Sequence, residues 1–191
     1  MGQSHSKVDQ SDSGEYVKLL SSSEVHSLKE LLKLNESTSG DLKACLENLK
    51  VHLLKFFTEK RAGQIMSFLE IHCSSPDTQV NCGNLLLNEI AKITKGGQPQ
   101  IAEFVYQILS PCEDDLAIVD LKKFCEEALS CIDHNSIKRF GISKESNGRF
   151  FARLTTNSEH LDIEKLNKIL HDSPLLVELL SHACQNVFFG K

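Results

Sequence analysis

The sequence predicts an all-α protein, built from paired helix–loop–helix units with a helical hairpin at its C-terminal end. Three observations carry this reading. Apolar residues recur at three-and-four spacing through most of the chain, as in Ile101, Phe104, Val105, Ile108 and Leu109. Polar or Gly/Pro-containing breaks separate these stripes at Ser37 to Gly40, Ser74 to Asp77, Gly96 to Pro99 and Pro111 to Asp115. Two stretches also share one order of helix, polar loop, short apolar step and helix, with Leu85 and Ile118 matching at a spacing of 33 positions.

Composition sets the bounds. With 191 residues, 40% hydrophobic and 25% charged, the chain has an ordinary soluble globular make-up, enough for one good core or two small ones. No apolar run reaches the roughly 18 to 20 residues that a membrane span needs, and the first residues lack the apolar centre of a secretory signal, so a cytosolic chain is expected. Cys45, Cys73, Cys82, Cys112, Cys125, Cys131 and Cys184 are odd in number and scattered, as expected of reduced thiols used as small core residues. A formal charge of -5 argues against nucleic acid as a partner and against a surface held to anionic lipid by charge alone.

The N-terminus carries the most specific short motif, Met1-Gly-Gln-Ser-His-Ser6-Lys7. Removal of Met1 leaves Gly2 with a free amine and no side chain, the requirement of N-myristoylation, and Ser6 and Lys7 fill the matching positions. Gly2 is therefore the expected lipidation site. One myristoyl chain binds a bilayer only marginally, and no cysteine precedes Cys45 to take a second acyl group. Asp9, Asp12 and Glu15 follow Lys7, so reversible residence that depends on a protein partner or on another region of the polypeptide is expected. Residues 1–22, rich in Ser, Asp and Gln, read as a flexible tether.

A helical domain is expected over residues 23–138. Ser21 and Glu24 have capping-box spacing ahead of Leu28, Leu31, Leu32 and Leu34. Leu42, Cys45, Leu46, Leu49, Leu53, Phe56 and Phe57 predict a helix from about 41 to 58 that faces the core, or alternatively a helix that fills a partner's groove. Ile65, Met66, Phe68, Leu69 and Ile71 predict the next helix to Cys73, and Leu86, Leu87, Ile90 and Ile93 another over 84–94. After the helix that begins at Pro99, an apolar stripe of Leu116, Ile118, Leu121, Phe124, Cys125 and Leu129 completes the second helix–loop–helix.

These two units have the layout of EF-hands and are expected to pair side by side. Calcium needs oxygen ligands at loop positions 1, 3, 5, 7 and 9, a glycine at 6 and a bidentate Glu at 12. In the loop from Thr78 to Glu89, Gly83 and Glu89 fit, but Thr78, Val80 and Cys82 replace ligands. In the loop from Pro111 to Lys122, Glu113 and Asp115 are present, but Pro111, Leu116 and Lys122 stand at the start, the glycine and the bidentate position. The loops read as EF-hand relics with no metal.

Residues 139–160 read as a mobile, mildly basic loop with Lys144, Arg149 and Arg153, which Phe150 and Phe151 could anchor. Residues 161–191 read as a C-terminal helical hairpin: Leu161, Ile163, Leu166, Ile169 and Leu170 form one stripe, and Ser173-Pro174 opens the last helix. That helix is apolar on most sides. Its surplus predicts a contact with a following domain or a partner through Leu176, Leu179, Leu180, Val187 and Phe188.

Met1-Gly2 with Ser6, helix–loop–helix units with eroded calcium loops, and the apolar stretch from Pro174 to Phe189 together resemble the N-terminal region of the myristoylated TLDc-domain family. The resemblance covers nearly the whole chain and implies a head without its TLDc domain. It further implies a place on the cytoplasmic face of the lysosome or vacuole, partly in the cytosol, and a link to mTOR signalling and the vacuolar proton pump.

No catalytic constellation stands out. Cys125, Cys131 and His134 lack a fourth zinc ligand, and Gly96-Gly97 ends a helix rather than forming a phosphate loop. The expected function is a non-catalytic, membrane-associated adaptor or regulatory scaffold without a cofactor. The alternative is a calcium-responsive EF-hand sensor that exposes its myristate on binding metal.

Overall fold

The computed structural model describes residues 15–34, 41–74, 81–110, 116–132, 137 and 160–190. It is all-α. Eight α-helices are described: α1 (Ser22–Leu32), α2 (Leu42–Leu53), α3 (Glu59–Cys73), α4 (Cys82–Lys95), α5 (Gln98–Leu109), α6 (Ile118–Ser130), α7 (Ile163–His171) and α8 (Pro174–Phe189). A 3-10 turn, Tyr16–Leu19, precedes α1, and two short strands, β1 (Leu116–Ala117) and β2 (His160–Leu161), lead into α6 and α7.

Local chemistry starts most of these helices. Ser21 caps α1 with the full capping box: its hydroxyl accepts from Glu24 N at 3.3 Å, and the Glu24 carboxylate accepts from Ser21 N at 2.8 Å. Asp41, Thr58, Asn81 and Asp162 cap α2, α3, α4 and α7 through their side chains. Helices α5 and α8 carry Pro99 and Pro174 in their first turns, where the missing N–H costs nothing. Gly190 ends α8 in the left-handed conformation, φ 65°, which a glycine adopts without penalty.

Helix α4 occupies the middle of the molecule. It packs against the 3-10 turn and against α1, α2, α3, α5 and α8, and Leu86, Ile90, Ala91 and Thr94 on it are wholly buried. The buried apolar residues from Leu20 to Phe189 form one continuous cluster. Gly83 belongs to the first turn of α4, not to a loop. A Cβ there would lie 2.7 Å from Leu34 Cδ2, so the residue's small size lets the end of α1 lie close to the start of α4.

The described residues refine four expectations. The packed fold includes residues before 23: Tyr16 and Val17 pack against the core and Leu20 is buried. Among the described residues, the strand in the second helix–loop–helix pairs with a later segment: Leu116 with Leu161 and Ala117 with His160, antiparallel. Leu116 and Leu161 are both buried, so the pairing that covers them joins α5–β1–α6 to the β2–α7 segment. The C-terminal hairpin is not a separate unit, since α7 packs on α5 while α8 packs on α4 and α6. Ile71 drops out of the α3 stripe and is 73% exposed, because the buried face runs through Ile65, Phe68, Leu69 and Cys73. The expected loop over residues 139–160 lies outside the described residues except for His160, which is in β2.

Candidate functional site

Gly2, Ser6 and Lys7 lie outside the described residues; the place where their segment joins the fold does not. Asn88 on α4 accepts the backbone N–H groups of Tyr16 at 3.1 Å and Val17 at 3.4 Å. Glu24, 3% exposed, takes Lys95 Nζ at 2.9 Å in addition to its capping-box bonds. Lys95 also lies 5.8 Å from the ring centroid of Phe189. The start of the chain's fold is thus tied to the central helix and to the end of α8. No pattern in the sequence signals Asn88, which sits among Leu86, Leu87 and Ile90 as an apparently misplaced polar residue.

The five residues expected to meet a partner are turned inward. Leu176, Leu179, Leu180, Val187 and Phe188 are between 1% and 8% exposed, in contact with the chain's own core. The reason is the position of α8: other helices of the same chain cover it on several sides, and a helix so enclosed needs apolar residues around most of its circumference. The backbone carbonyl of Val187 also accepts a hydrogen bond from the imidazole Nε2 of His52, which joins α8 to α2. In this fold those side chains hold the domain together.

Of the residues weighed for the calcium loops, Thr78, Val80, Pro111, Glu113 and Asp115 lie outside the described residues, while Glu89, Leu116 and Lys122 are placed within helices or strand. Glu89 sits mid-helix on α4, beside Lys92, His72 on α3 and Glu103 on α5. Burial pushes its carboxyl above the usual range, partly opposed by Lys92 and His72, and its Oε2 has no hydrogen-bond partner among the described residues. Lys92 bonds Glu103 at 3.0 Å, and His72 bonds Gln107 at 2.6 Å, so the surrounding polar groups bridge α3, α4 and α5. Leu116 is buried in β1, and Lys122 lies on the exposed side of α6. No group of three or more potential metal-ligating side chains converges among the described residues.

The thiols are placed for packing. Burial pushes Cys125 and Cys184 up to about 12 and Cys131 up to about 11, and raises Cys45 and Cys73 as well, so these sulfurs stay protonated near neutral pH. A thiol in that state is a poor nucleophile. His134, the third member of the weighed zinc pattern, lies outside the described residues.

The described surface carries, among other features, a cleft and an exposed apolar corner. A cleft of about 690 Å³ runs between the start of α5 and helices α7 and α8, lined in part by Gln98, His171, Glu178 and His182. Several of its polar side chains are spent on the fold: Ser181 and Gln185 bond the Thr94 carbonyl at 3.2 and 3.0 Å, and Gln98 bonds the Asn167 carbonyl at 2.8 Å. The corner lies where α2 turns into α3. Val51 is 67% and Leu54 45% exposed, on the side of α2 opposite Leu49 and Leu53.

No family profile, curated protein or solved structure matches this chain. No described helix is long and apolar enough to cross a membrane.

Proposed function

We propose that this chain is a non-catalytic, N-myristoylated head that brings a rigid helical scaffold to a cytoplasmic membrane surface, as an adaptor or regulatory subunit. The observation that carries the reading is the Met1-Gly2 motif with Ser6 and Lys7, ahead of a fold whose first described turn is fixed on α4. A lipid at Gly2 followed by a tether and a firmly held domain is the arrangement a recruited scaffold needs. One myristoyl group gives a partition constant of roughly 10⁴ M⁻¹, so residence would be reversible and divided with the cytosol.

The resemblance to the myristoylated TLDc-domain family supplies the compartment in this proposal: the lysosome or vacuole, with mTOR signalling or the proton pump as the process served. Partners in this reading are the membrane, through the lipid, and a protein or TLDc domain. The buried, protonated thiols and the polar side chains already used in the fold favour a scaffold over an enzyme.

The test is expression of the wild type and Gly2→Ala in cells fed a traceable myristate analogue, followed by membrane fractionation with and without calcium. The expected result is label and membrane residence in the wild type, loss of both in Gly2→Ala, and no effect of calcium. An unlabelled wild type contradicts the proposal. A calcium-driven shift between fractions would replace the adaptor with a sensor.

A further inference from the structure

Six large apolar side chains are exposed among the described residues: Leu19, Val51, Leu54, Ile71, Val119 and Leu175. Only Val51 and Leu54 are one helical turn apart. Leu54 continues the helical backbone of α2, at φ -64° and ψ -12°, so the two side chains project from one face. At helical spacing Lys50 and Lys55 fall on either side of them, and Lys60 follows in the first turn of α3. From Lys50 to Lys60 there are three lysines and one glutamate, a local excess of positive charge in a chain of net charge -5. None of the three lysines has an ion-pair partner among the described residues. Glu47, one turn back, and Glu59 are the acidic neighbours.

We infer that this corner is a second membrane contact, in which Val51 and Leu54 enter the interface of an anionic bilayer and Lys50, Lys55 and Lys60 meet its headgroups. The occupant follows from the chemistry. Apolar tips flanked by lysines match a surface that is apolar below and negative above. The backbone at the corner is also prepared for a dry setting: the N–H groups of Leu54, Lys55, Phe56 and Phe57 donate to Lys50, His52, Leu53 and Leu53 carbonyls at 2.9 to 3.1 Å. A segment entering an interface must satisfy its backbone internally, because lipid offers few partners. The corner is rigid as well, since Leu49 and Leu53 behind it are fully buried.

This inference rests on the myristoylated-head reading, to which it supplies the second attachment that one acyl chain lacks. Thirteen positions separate Gly2 from Glu15 and can extend over up to about 45 Å, against a radius of gyration of about 16 Å for a compact domain of this length. Lipid and corner can therefore reach one bilayer together.

The experiment is flotation of the full chain, acylated by co-expressed myristoyl transferase, with vesicles of phosphatidylcholine alone or mixed two to one with phosphatidylserine. Wild type, Val51→Ser with Leu54→Ser, and Lys50→Glu with Lys55→Glu and Lys60→Glu are compared, each also with Gly2→Ala. Thermal melts establish that every variant is folded. The serine pair is expected to lower binding to the mixed vesicles roughly tenfold, and the lysine reversal roughly a hundredfold. Both losses should persist with Gly2→Ala at a lower baseline. Equal binding by wild type and the corner variants overturns the inference while a Gly2→Ala loss keeps the lipid reading, and the corner is then left to a protein partner. Binding that ignores phosphatidylserine also overturns it. If the wild type takes up no acyl group yet the corner variants still bind more weakly, the corner stands and the myristoylated-head reading falls.

Discussion

Helix α8 and the corner after α2 are both richer in apolar side chains than a single buried face requires, and the fold treats them in opposite ways. The surplus on α8 is absorbed because α4, α6, α1 and α5 all contact it. Leu180 and Val187 are each 1% exposed. The surplus at the corner is left outside, with Val51 and Leu54 both exposed. The difference shows that apolarity alone does not mark a docking surface. What decides it is how many elements of the same chain can reach each side, and a helix that crosses a bundle's centre is reached from nearly all of them.

The largest effect is expected within α8. Leu180→Ala should cost about 2–5 kcal/mol in a urea or thermal unfolding measurement, the range for a fully buried leucine whose surroundings relax only in part. A loss within about 0.5 kcal/mol, as expected for a surface position, would place α8 on the outside after all. Glu24→Ala tests the tie between α1, α4 and the end of α8. It removes the capping-box carboxylate and leaves Lys95 without that partner, at a cost of about 1–3 kcal/mol in the same assay.

Glu89 sharpens the contrast from the polar side. Its carboxyl is raised above the ordinary glutamate value, chiefly by burial, so the folded state holds the proton more tightly than the unfolded state does. Any stability this provides is complete below the unfolded value and disappears as pH rises through the folded one. Glu89→Gln should therefore melt higher than wild type at neutral pH, with the gap closing as pH falls through the raised folded value and gone below about 4.5. A gap that grows in acid would mean that Glu89 is held ionised by its neighbours. The smallest effect belongs to the corner: Val51→Ser and Leu54→Ser should each change unfolding stability by no more than about 0.5 kcal/mol. A larger loss would mean that the corner is packed, not free.

Much of the helical pattern was legible because three-and-four spacing and caps are local. Ser21 with Glu24, and Pro174 after Ser173, mark helix starts that the fold uses. The pairing of Leu116 with Leu161 was not legible, since two-residue strands give no alternation to read and their partners lie far apart in sequence. Nor was the fate of α8, because the pattern of one helix does not say which others surround it. The corner did leave a trace. Val51 and Leu54 fall off the stripe that runs from Leu42 to Phe57, and they lie between lysines; an apolar pair outside a core stripe is the sign that was available. Of the candidate site itself, Gly2, Ser6 and Lys7 were readable as a motif in which each position has a chemical reason. Asn88, which holds the start of the fold, was not readable, since its bonds go to backbone atoms more than 70 positions away.

A lipid on Gly2 would show in the intact mass, with N-terminal fragmentation, of the chain purified from eukaryotic cells. The expected result is loss of Met1 and a single myristoyl group on the Gly2 amine, absent from Gly2→Ala. An N-terminus that is free or acetylated in the wild type would contradict it.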